Sequence, residues 1–226
     1  MRIIIGTMLA IGIVALVGLY LWQPDYVWHQ KLTIDVDTPE GVKSGSSTVR
    51  VAWRDSIALL PDPPHVTSQI RGEATVVDLG GGRYLFALLN DAERLALKVF
   101  NYEPVPQVVN GISPWAQRVV ERRGETLEAP LGRYPVLVTF VDISGPSSVR
   151  KVDPSNPEEA FGEGMQLKRR SLSVTDEIVT ERRVEPILPW LDAYFGKKFD
   201  GQRYETIRAS NRFANSLSSG AFKAGK

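Results

Sequence analysis

The sequence predicts a mainly β, sandwich-like extracytoplasmic domain with short helices, preceded by one transmembrane helix; an α+β fold is the alternative. Three observations support this prediction: residues 3–22 carry no charge and are nearly all apolar, apolar and polar residues alternate in the segments that follow, and Gly, Pro and Asp separate those segments. We expect a transmembrane anchor at residues 1–24, a mainly β domain at 25–212, and a flexible Gly-, Ser- and Lys-rich tail at 213–226.

The composition excludes several classes of function. The chain of 226 residues has 27 basic and 26 acidic side chains, so its formal net charge is +1 and it has no global basic field to attract nucleic acid. Because it contains no cysteine, disulfides, zinc–thiolate sites and cysteine nucleophiles are excluded. We expect neither a nucleic-acid partner nor a cofactor.

The anchor prediction rests on the length of the apolar run and on the residues at its ends. Residues 3–22 suffice for a helix across a hydrocarbon layer about 30 Å thick. Arg2 favours a cytoplasmic amino end, since positive residues tend to stay on that side. Cleavage as a signal peptide is the alternative, although Leu16 is large for a small-x-small cleavage site. Amphipathic rings favour the membrane interface, where we place Tyr20, Trp22, Tyr26 and Trp28.

Two half-buried strands are predicted directly after the anchor. In residues 29–55, apolar and polar side chains alternate twice, once on each side of the segment Thr-Pro-Glu-Gly. Pro39 presets φ for a turn and Gly41 tolerates the conformation at its exit.

The three consecutive glycines in VVDLGGGRYLFALL, residues 76–89, raise the question of a phosphate-binding loop. A dinucleotide fingerprint needs a further glycine where Leu85 stands, and it needs a helix to follow. Instead an aromatic and apolar run follows Gly82, which indicates a returning strand. We therefore expect a β-hairpin in which the glycines supply positive φ.

Helix signals are few. A polar cap, Pro114 and the stop at Gly124 predict a helix that begins at Ser113. A second helix should follow Asn90 as its cap, and a short one should occupy residues 189–196. Asp200-Gly201 between apolar runs predicts a further hairpin, and Asn156-Pro157 a single helical turn.

Two further strands are predicted in the second half of the chain. From Arg133 the run RYPVLVTFVDI is nearly continuously apolar, which is typical of a strand buried on both faces. The later strand MQLKRRSLSVTDE changes its apolar phase between Leu167 and Leu172, which indicates a β-bulge.

Residues 137–191, LVTFVDISGPSSVRKVDPSNPEEAFGEGMQLKRRSLSVTDEIVTERRVEPILPWL, resemble an uncharacterised bacterial protein family in their strand, Asp-Pro loop and Pro-Trp-Leu segments. The resemblance implies a bacterial origin, and therefore a periplasm on the far side of the membrane. It implies no activity and no site residues.

One motif has the spacing of a catalytic pair. Ser148 and Lys151 match the Ser-x-x-Lys spacing of penicillin-recognising enzymes, and Lys43–Gly45 is similar to their Lys-Thr-Gly element. In that family the second element follows the serine, whereas here it precedes it, and Ser148 falls in a Pro-containing loop. Ser148 and Lys151 are thus the candidate catalytic residues for an enzymatic alternative, and a turn serine with an exposed lysine is the preferred interpretation.

Asp35 and Asp37 are the candidate metal ligands, because alternate residues of a strand share one face. Pro39 and Glu40 stand where a calcium loop needs a ligand and a glycine, so two solvated carboxylates are the preferred interpretation. The two histidines, His29 and His65, lack ligand spacing. Arginine pairs at 122–123, 169–170 and 182–183 are interspersed with acidic residues, which favours solvated charge over an anion-binding face.

These observations favour a protein of the bacterial inner membrane with a single span and a periplasmic carboxyl-terminal domain, or a secreted protein if the apolar run is cleaved. We expect a non-catalytic interaction or assembly module whose partner is an envelope protein or the cell wall. The alternative is an envelope hydrolase that uses carboxylates or a Ser–Lys pair. A pocket that unites such groups would favour the enzyme, and an exposed apolar patch would favour the interaction module.

Overall fold

The computed structural model describes residues 25–55, 66–100, 113–130 and 135–225. The chain is mainly β and forms two antiparallel sheets. The predicted anchor at 1–24, with Tyr20 and Trp22, lies outside the described residues, as does His65. No helix in the described part of the chain has the length and apolar character needed to cross a membrane.

The first sheet has six strands in the order β10–β3–β2–β1–β9–β6. The predicted first hairpin is confirmed: Thr38 pairs with Gly41 across a turn made by Pro39 and Glu40, and Gly41 has a φ of 113°. The strands are β1 (Asp25–Thr38), β2 (Gly41–Asp55), β3 (Val66–Glu73), β6 (Thr126–Glu128), β9 (Gln166–Thr175) and β10 (Lys223–Ala224).

The second sheet has the order β4–β5–β7–β8, with β4 (Thr75–Gly80), β5 (Arg83–Ala87), β7 (Leu137–Phe140) and β8 (Val149–Lys151). The predicted glycine hairpin is confirmed as β4–β5. Gly81 and Gly82 have φ values of 62° and 75°, and two consecutive positive values form the turn whose twist matches that of the flanking strands. β7 is shorter than the apolar run that predicted it, but Leu137, Val138 and Thr139 are all buried, as expected.

Apolar side chains pack on both faces of the second sheet. Since successive strand residues point to opposite faces, Leu85 and Phe86 of β5 belong to different clusters. Leu85 joins a cluster with Ile34 and Val51 of the first sheet. Phe86 joins a second cluster whose other members come largely from residues 184–222. These residues therefore form a third layer, which we call the carboxyl-terminal layer.

The predicted flexible tail is wrong. Residues 212–224 contain a helical turn, a 3₁₀ turn and β10, which pairs with β3. Phe222 is fully buried, and its ring centroid lies 5.5 Å from that of Phe86. The burial of Leu217 and Phe222 accounts for the order, because a Gly- and Ser-rich segment can be held by a few apolar anchors.

Among the residues that the structure describes, the α-helices are α1 (Ala92–Val99), α2 (Ser113–Glu121), α3 (Glu158–Phe161) and α4 (Arg212–Ser216). α1 and α2 occur where predicted, and Gly124 after α2 has a φ of 85°. The cap of α1 is Asp91 rather than Asn90; Asp91 adopts a left-handed backbone and forms an ion pair with Lys98. The helical turn after Asn156-Pro157 is confirmed as α3.

Two local predictions in the carboxyl-terminal layer need correction. The helix expected at 189–196 is a single 3₁₀ turn, Leu191–Tyr194. The hairpin expected at Asp200-Gly201 is wrong: a tight turn is present, in which the Lys198 N–H donates to the Gln202 carbonyl at 2.7 Å, but no strand flanks it in the described residues.

The bulge predicted in β9 is confirmed. Asp35 of β1 lies opposite Arg169, and its neighbour Val36 lies opposite Leu167, so Lys168 is the extra residue. The shift turns two successive basic side chains of β9 toward one face of the sheet, where they meet carboxylates of β1.

Residues 176–184 form a strap that runs across the first sheet without regular secondary structure. After β9, Glu177 forms an ion pair with Lys31 of β1 at 2.8 Å. The Thr180 N–H then donates to the carbonyl of Thr48 on β2 at 2.9 Å. Because β9, β1, β2 and β3 are neighbours in that order, the strap passes over one strand after another and delivers the chain to the carboxyl-terminal layer.

A buried carboxylate fastens the far end of the strap. Glu73, the last residue of β3, is only 1% exposed, and its carboxylate accepts the backbone N–H groups of Arg182, Arg183 and Val184 at 2.8, 2.7 and 3.0 Å. Arg182 has a φ of 61°, a left-handed conformation that helps successive N–H groups converge on one anion. The three donors compensate for burying the charge.

Candidate interaction surface

The structure does not bring the predicted catalytic pair together. The Ser148 hydroxyl donates to the Asp142 carbonyl at 2.7 Å and accepts the Asp142 N–H at 3.0 Å, so the backbone of one residue occupies it as donor and acceptor. Ser148 ends a 3₁₀ turn and Lys151 lies in β8, so the helical turn that would unite them is absent from residues 146–151. Lys151 lines a cavity of about 380 Å³ with Arg150, and Ser148 is not part of its lining.

The predicted metal ligands lie on one face of β1, as expected, but each has a basic partner. Asp35 accepts hydrogen bonds from Ser44 at 2.6 Å and from Arg169 at 3.0 Å. Asp37 forms an ion pair with Lys168 at 2.9 Å. Asp35 is buried, so the expectation of a solvated carboxylate is wrong at this position; the β9 bulge supplies the partner that makes burial tolerable. Within the described ranges, no group of three His, Asp or Glu side chains is placed to hold a metal ion.

The arginine pairs are dispersed among carboxylates. Arg122 pairs with Glu125, and Arg123 with Asp176. At 182–183 the backbone, rather than the guanidinium groups, binds Glu73. These contacts therefore favour separate paired or solvated charges over a single anion-binding face.

The side chain of Trp28, which we expected at a membrane interface, is buried in the core of the protein. It is 3% exposed, and its ring centroid lies 6.2 Å from that of Trp53 in the first core cluster. Its indole N–H donates to Gln30, whose amide in turn donates to the carbonyl of Ala92 at 2.7 Å. The reason is strand alternation: the even-numbered apolar residues of β1, from Tyr26 to Val36, face the first core cluster, and Trp28 is one of them. Half-buried Tyr26 packs on the same cluster.

Two exposed carboxylates near the Ser148 loop are held by serine side chains. Hydrogen bonds from the hydroxyl and the N–H of Ser144 lower the pKa of Asp142 below its ordinary value. Ser155 lowers the pKa of Asp153 in the same way. Both are local turns that a short polar side chain stabilises, and neither carboxylate joins a group of catalytic character.

The most unusual exposed feature lies in the carboxyl-terminal layer. Phe195, Tyr204 and Ile207 are 84%, 69% and 83% exposed, and they fall within thirteen residues of one another in the sequence. Scattered exposed apolar residues need no explanation, but three large ones in a single stretch mark a candidate contact site. We call residues 195–213 the 195–213 surface.

An aromatic anchor fixes the first part of the 195–213 surface. Phe199 is buried, and its ring centroid lies 5.2 Å from that of Trp190 and 5.5 Å from that of Phe222. Its N–H lies 3.1 Å from the carbonyl of Ala214 and 3.2 Å from that of Leu217. The backbone four residues after exposed Phe195 is therefore attached to the core of the layer.

A buried amide fixes the second part. Asn215 of α4 is completely buried; its side-chain oxygen accepts the Thr206 N–H at 2.6 Å, and its amide donates to the Tyr204 carbonyl at 3.2 Å. These two bonds hold the backbone on either side of Glu205, directly before Ile207. Asn211 caps α4 by accepting the Ala214 N–H at 3.0 Å. The exposed apolar side chains are thus carried by a backbone that is already in place.

A groove of about 480 Å³ adjoins α4; it is lined by Glu205, Thr206, Ile207, Arg212 and Phe213 of this surface and by Ser216. Ile207 and Phe213 supply its apolar wall, and Arg212 supplies positive charge. Residues 195–213 contain five basic and two acidic side chains, hence a net charge of +3. One of the two carboxylates, Glu205, already pairs with Lys198 at 3.6 Å.

Sequence reasoning missed this surface, because it treated residues 197–207 as a hairpin and 213 onward as a frayed tail. The available signal was a stretch in which aromatic and aliphatic residues follow neither the period of a strand nor that of a helix. No family model, curated protein or solved structure matches the chain. The candidate surface therefore rests on its own geometry.

Proposed function

We propose that this protein is a membrane-anchored protein of the bacterial envelope that acts as a non-catalytic interaction or assembly module, and that the 195–213 surface binds its partner. The observation that carries the proposal is the exposure of Phe195, Tyr204 and Ile207 on a backbone fixed by buried Phe199 and Asn215. A loop that is ordered before binding loses less conformational entropy when it binds, so its exposed apolar area contributes more to affinity.

The proposed setting follows from the sequence. Residues 3–22 anchor the chain in the inner membrane, and the domain from residue 25 onward lies in the periplasm. The two sheets form a sandwich-like body, with the first core cluster between them and the carboxyl-terminal layer on the other face of the second sheet. The partner is an envelope protein or a component of the cell wall.

No contact in the described residues favours the hydrolase alternative. The Ser148 hydroxyl is engaged by the backbone of Asp142, and Asp35 and Asp37 are each engaged by a basic residue of β9. A serine nucleophile needs a base within hydrogen-bonding reach, and a pair of catalytic carboxylates needs a shared cleft.

Site-specific photo-crosslinking in cells tests the proposal. A benzophenone amino acid at Ile207 should give one discrete adduct, whereas the same residue at Ile178, which is 89% exposed and lies in the strap across the first sheet, should not. The linked protein is then purified, and its binding to the full chain is measured. Ile207→Asp should weaken that binding at least about tenfold, since loss of a central hot-spot side chain costs about 2 kcal/mol or more and about 1.4 kcal/mol is a factor of ten. Equal crosslinking from both positions, or unchanged binding by the variant, would reject this surface.

A further inference from the structure

We infer that the partner segment bound by the 195–213 surface is acidic and presents an apolar side chain to the groove beside α4. This inference rests on the proposed function and specifies the chemistry of the partner. It follows from three features of the surface: the balance of its charges, the location of those charges relative to the groove, and the shape of the groove.

The charge balance is uneven, and the acidic side chains present are already engaged. Asp200 accepts the Gln202 N–H at 3.0 Å, and Glu205 pairs with Lys198. Arg203 lies over the ring of Tyr204, with its guanidinium carbon 5.3 Å from the ring centroid. A partner that supplies carboxylates would neutralise the excess positive charge, whereas a basic partner would be repelled.

The charges lie beside the apolar residues. Arg208 directly follows Ile207, and Arg212 lines the groove together with Ile207 and Phe213. Both arginines are exposed. An occupant that places an apolar side chain against Ile207 and Phe213 therefore brings its neighbouring residues within reach of two guanidinium groups, which bind carboxylates through paired hydrogen bonds.

The concave shape favours a peptide segment over a lipid surface. The groove, of about 480 Å³, is open to solvent along its length and accommodates a few side chains of a segment that lies across it. A membrane-inserting loop places its apolar residues on a protruding tip, with cations around them. Here Ile207 and Phe213 instead line a groove, and the one carboxylate in the lining, that of Glu205, is already paired with Lys198.

Peptide binding to the full chain tests the inference. The probes are two fluorescently labelled peptides of equal length, one of alternating Glu and Leu and one of alternating Lys and Leu, and binding is followed by fluorescence anisotropy. The acidic peptide should bind about tenfold more tightly or better, and added salt should reduce the difference. Equal affinity of the two peptides would overturn the inference.

Charge reversal locates the binding. Arg208→Glu combined with Arg212→Glu should weaken binding of the acidic peptide about tenfold, and Arg94→Glu, at an exposed position of α1, should leave it unchanged. Glu at the first residue of α4 suits a helix amino terminus, so the variant should fold, which circular dichroism checks. An equal effect of Arg94→Glu would show a non-specific response to net charge and would overturn the inference.

Two further outcomes separate this inference from the proposed function. If crosslinking from Ile207 yields a discrete partner whose linked segment lacks net negative charge, the function stands and the acidic partner is refuted. If phosphatidylglycerol vesicles bind the full chain more than the double variant does, while the acidic peptide does not bind, the surface recognises lipid and the inference fails.

Discussion

Replacement of Gly45 by Ala should destabilise the fold, although Gly45 has no positive φ and lies in the middle of a strand. A Cβ atom at this position would lie 1.9 Å from the carbonyl oxygen of Val76, 2.7 Å from its carbonyl carbon and 3.0 Å from the Cα of Val77. All three obstructing atoms belong to the backbone of β4, so no side chain can rotate away. Gly45 therefore permits the close approach of β2 and β4, the strands through which the two sheets meet.

The magnitude follows from the required displacement. A carbon and a carbonyl oxygen normally stay about 3.3 Å apart, so β4 must retreat by about 1.4 Å. This retreat would loosen fully buried Val77 and Leu79 from the first sheet. Overpacking of this kind costs typically about 1–3 kcal/mol, and the backbone obstruction places Gly45 at the upper end. Alanine also restricts the unfolded chain more than glycine does, which offsets about 0.4–1 kcal/mol of this loss of stability. The net loss of about 2 kcal/mol corresponds to a fall in Tm of about 4–8 °C for a domain of this size.

The assay is thermal unfolding of the full chain followed by far-ultraviolet circular dichroism, with Gly220→Ala as the matched control. Gly220 also lacks a positive φ, and a Cβ there would meet only the Ser218 hydroxyl, at 3.8 Å. We expect the control to unfold at or slightly above the temperature of the unchanged protein. A Gly45→Ala variant that unfolds within about 1 °C of the control would refute the reasoning, because the close approach would then carry no energetic consequence.

Three further predictions concern the strap, the Ser148 loop and the anchor. Glu73→Gln should lower the free energy of unfolding, measured with urea, by about 1–3 kcal/mol, because the amide leaves one buried N–H donor of the strap without an acceptor. Glu181→Gln, at an exposed ion pair with Arg71, should lower it by about 0–1 kcal/mol. Equal losses would contradict the role assigned to Glu73. Ser144→Ala should raise the pKa of Asp142 in carboxyl NMR titrations, whereas Ser155→Ala should raise only that of Asp153. Because both pKa values are lowered in the folded state, the stability that these turns contribute is present above the ordinary carboxyl pKa. It is lost as the pH falls through the folded-state pKa. The full chain should resist extraction by alkaline carbonate, and added protease should digest its domain in spheroplasts; release by carbonate would indicate cleavage of residues 3–22, and protection would reverse the orientation.

Features encoded by neighbouring residues were predictable from the sequence. The β1–β2 turn, the glycine hairpin and the β9 bulge each depend on residues a few positions apart, whose conformational preferences decide the outcome. α2 was predictable for the same reason, since its start and stop residues lie at its own ends.

Features that depend on distant residues were not predictable. Glu73 reads as one charge at the end of a strand, yet it binds N–H groups 109 to 111 positions away. Trp28 reads as part of an aromatic cluster beside an apolar run, and only the strand register turns it inward. Asn215 lies in a polar tail sequence that gives no sign of burial. It is buried because its side-chain amide bonds to the backbone of Tyr204 and Thr206.

The carboxyl-terminal layer has little regular secondary structure, so its backbone groups must find partners elsewhere. Many of them bond to other backbone groups in local turns, and single polar side chains hold several of the connecting segments. Glu73 holds the entry at Arg182–Val184, Trp190 donates to the Ile143 carbonyl at 2.8 Å, and Asn215 holds the stretch between Tyr204 and Thr206. Each such side chain governs a short segment, whereas the sheets depend on many equivalent ladder bonds. The layer can therefore present a fixed apolar surface whose order depends locally on Asn215, while the two sheets retain their own pairing. Binding through the 195–213 surface should consequently be separable from the stability of the β body.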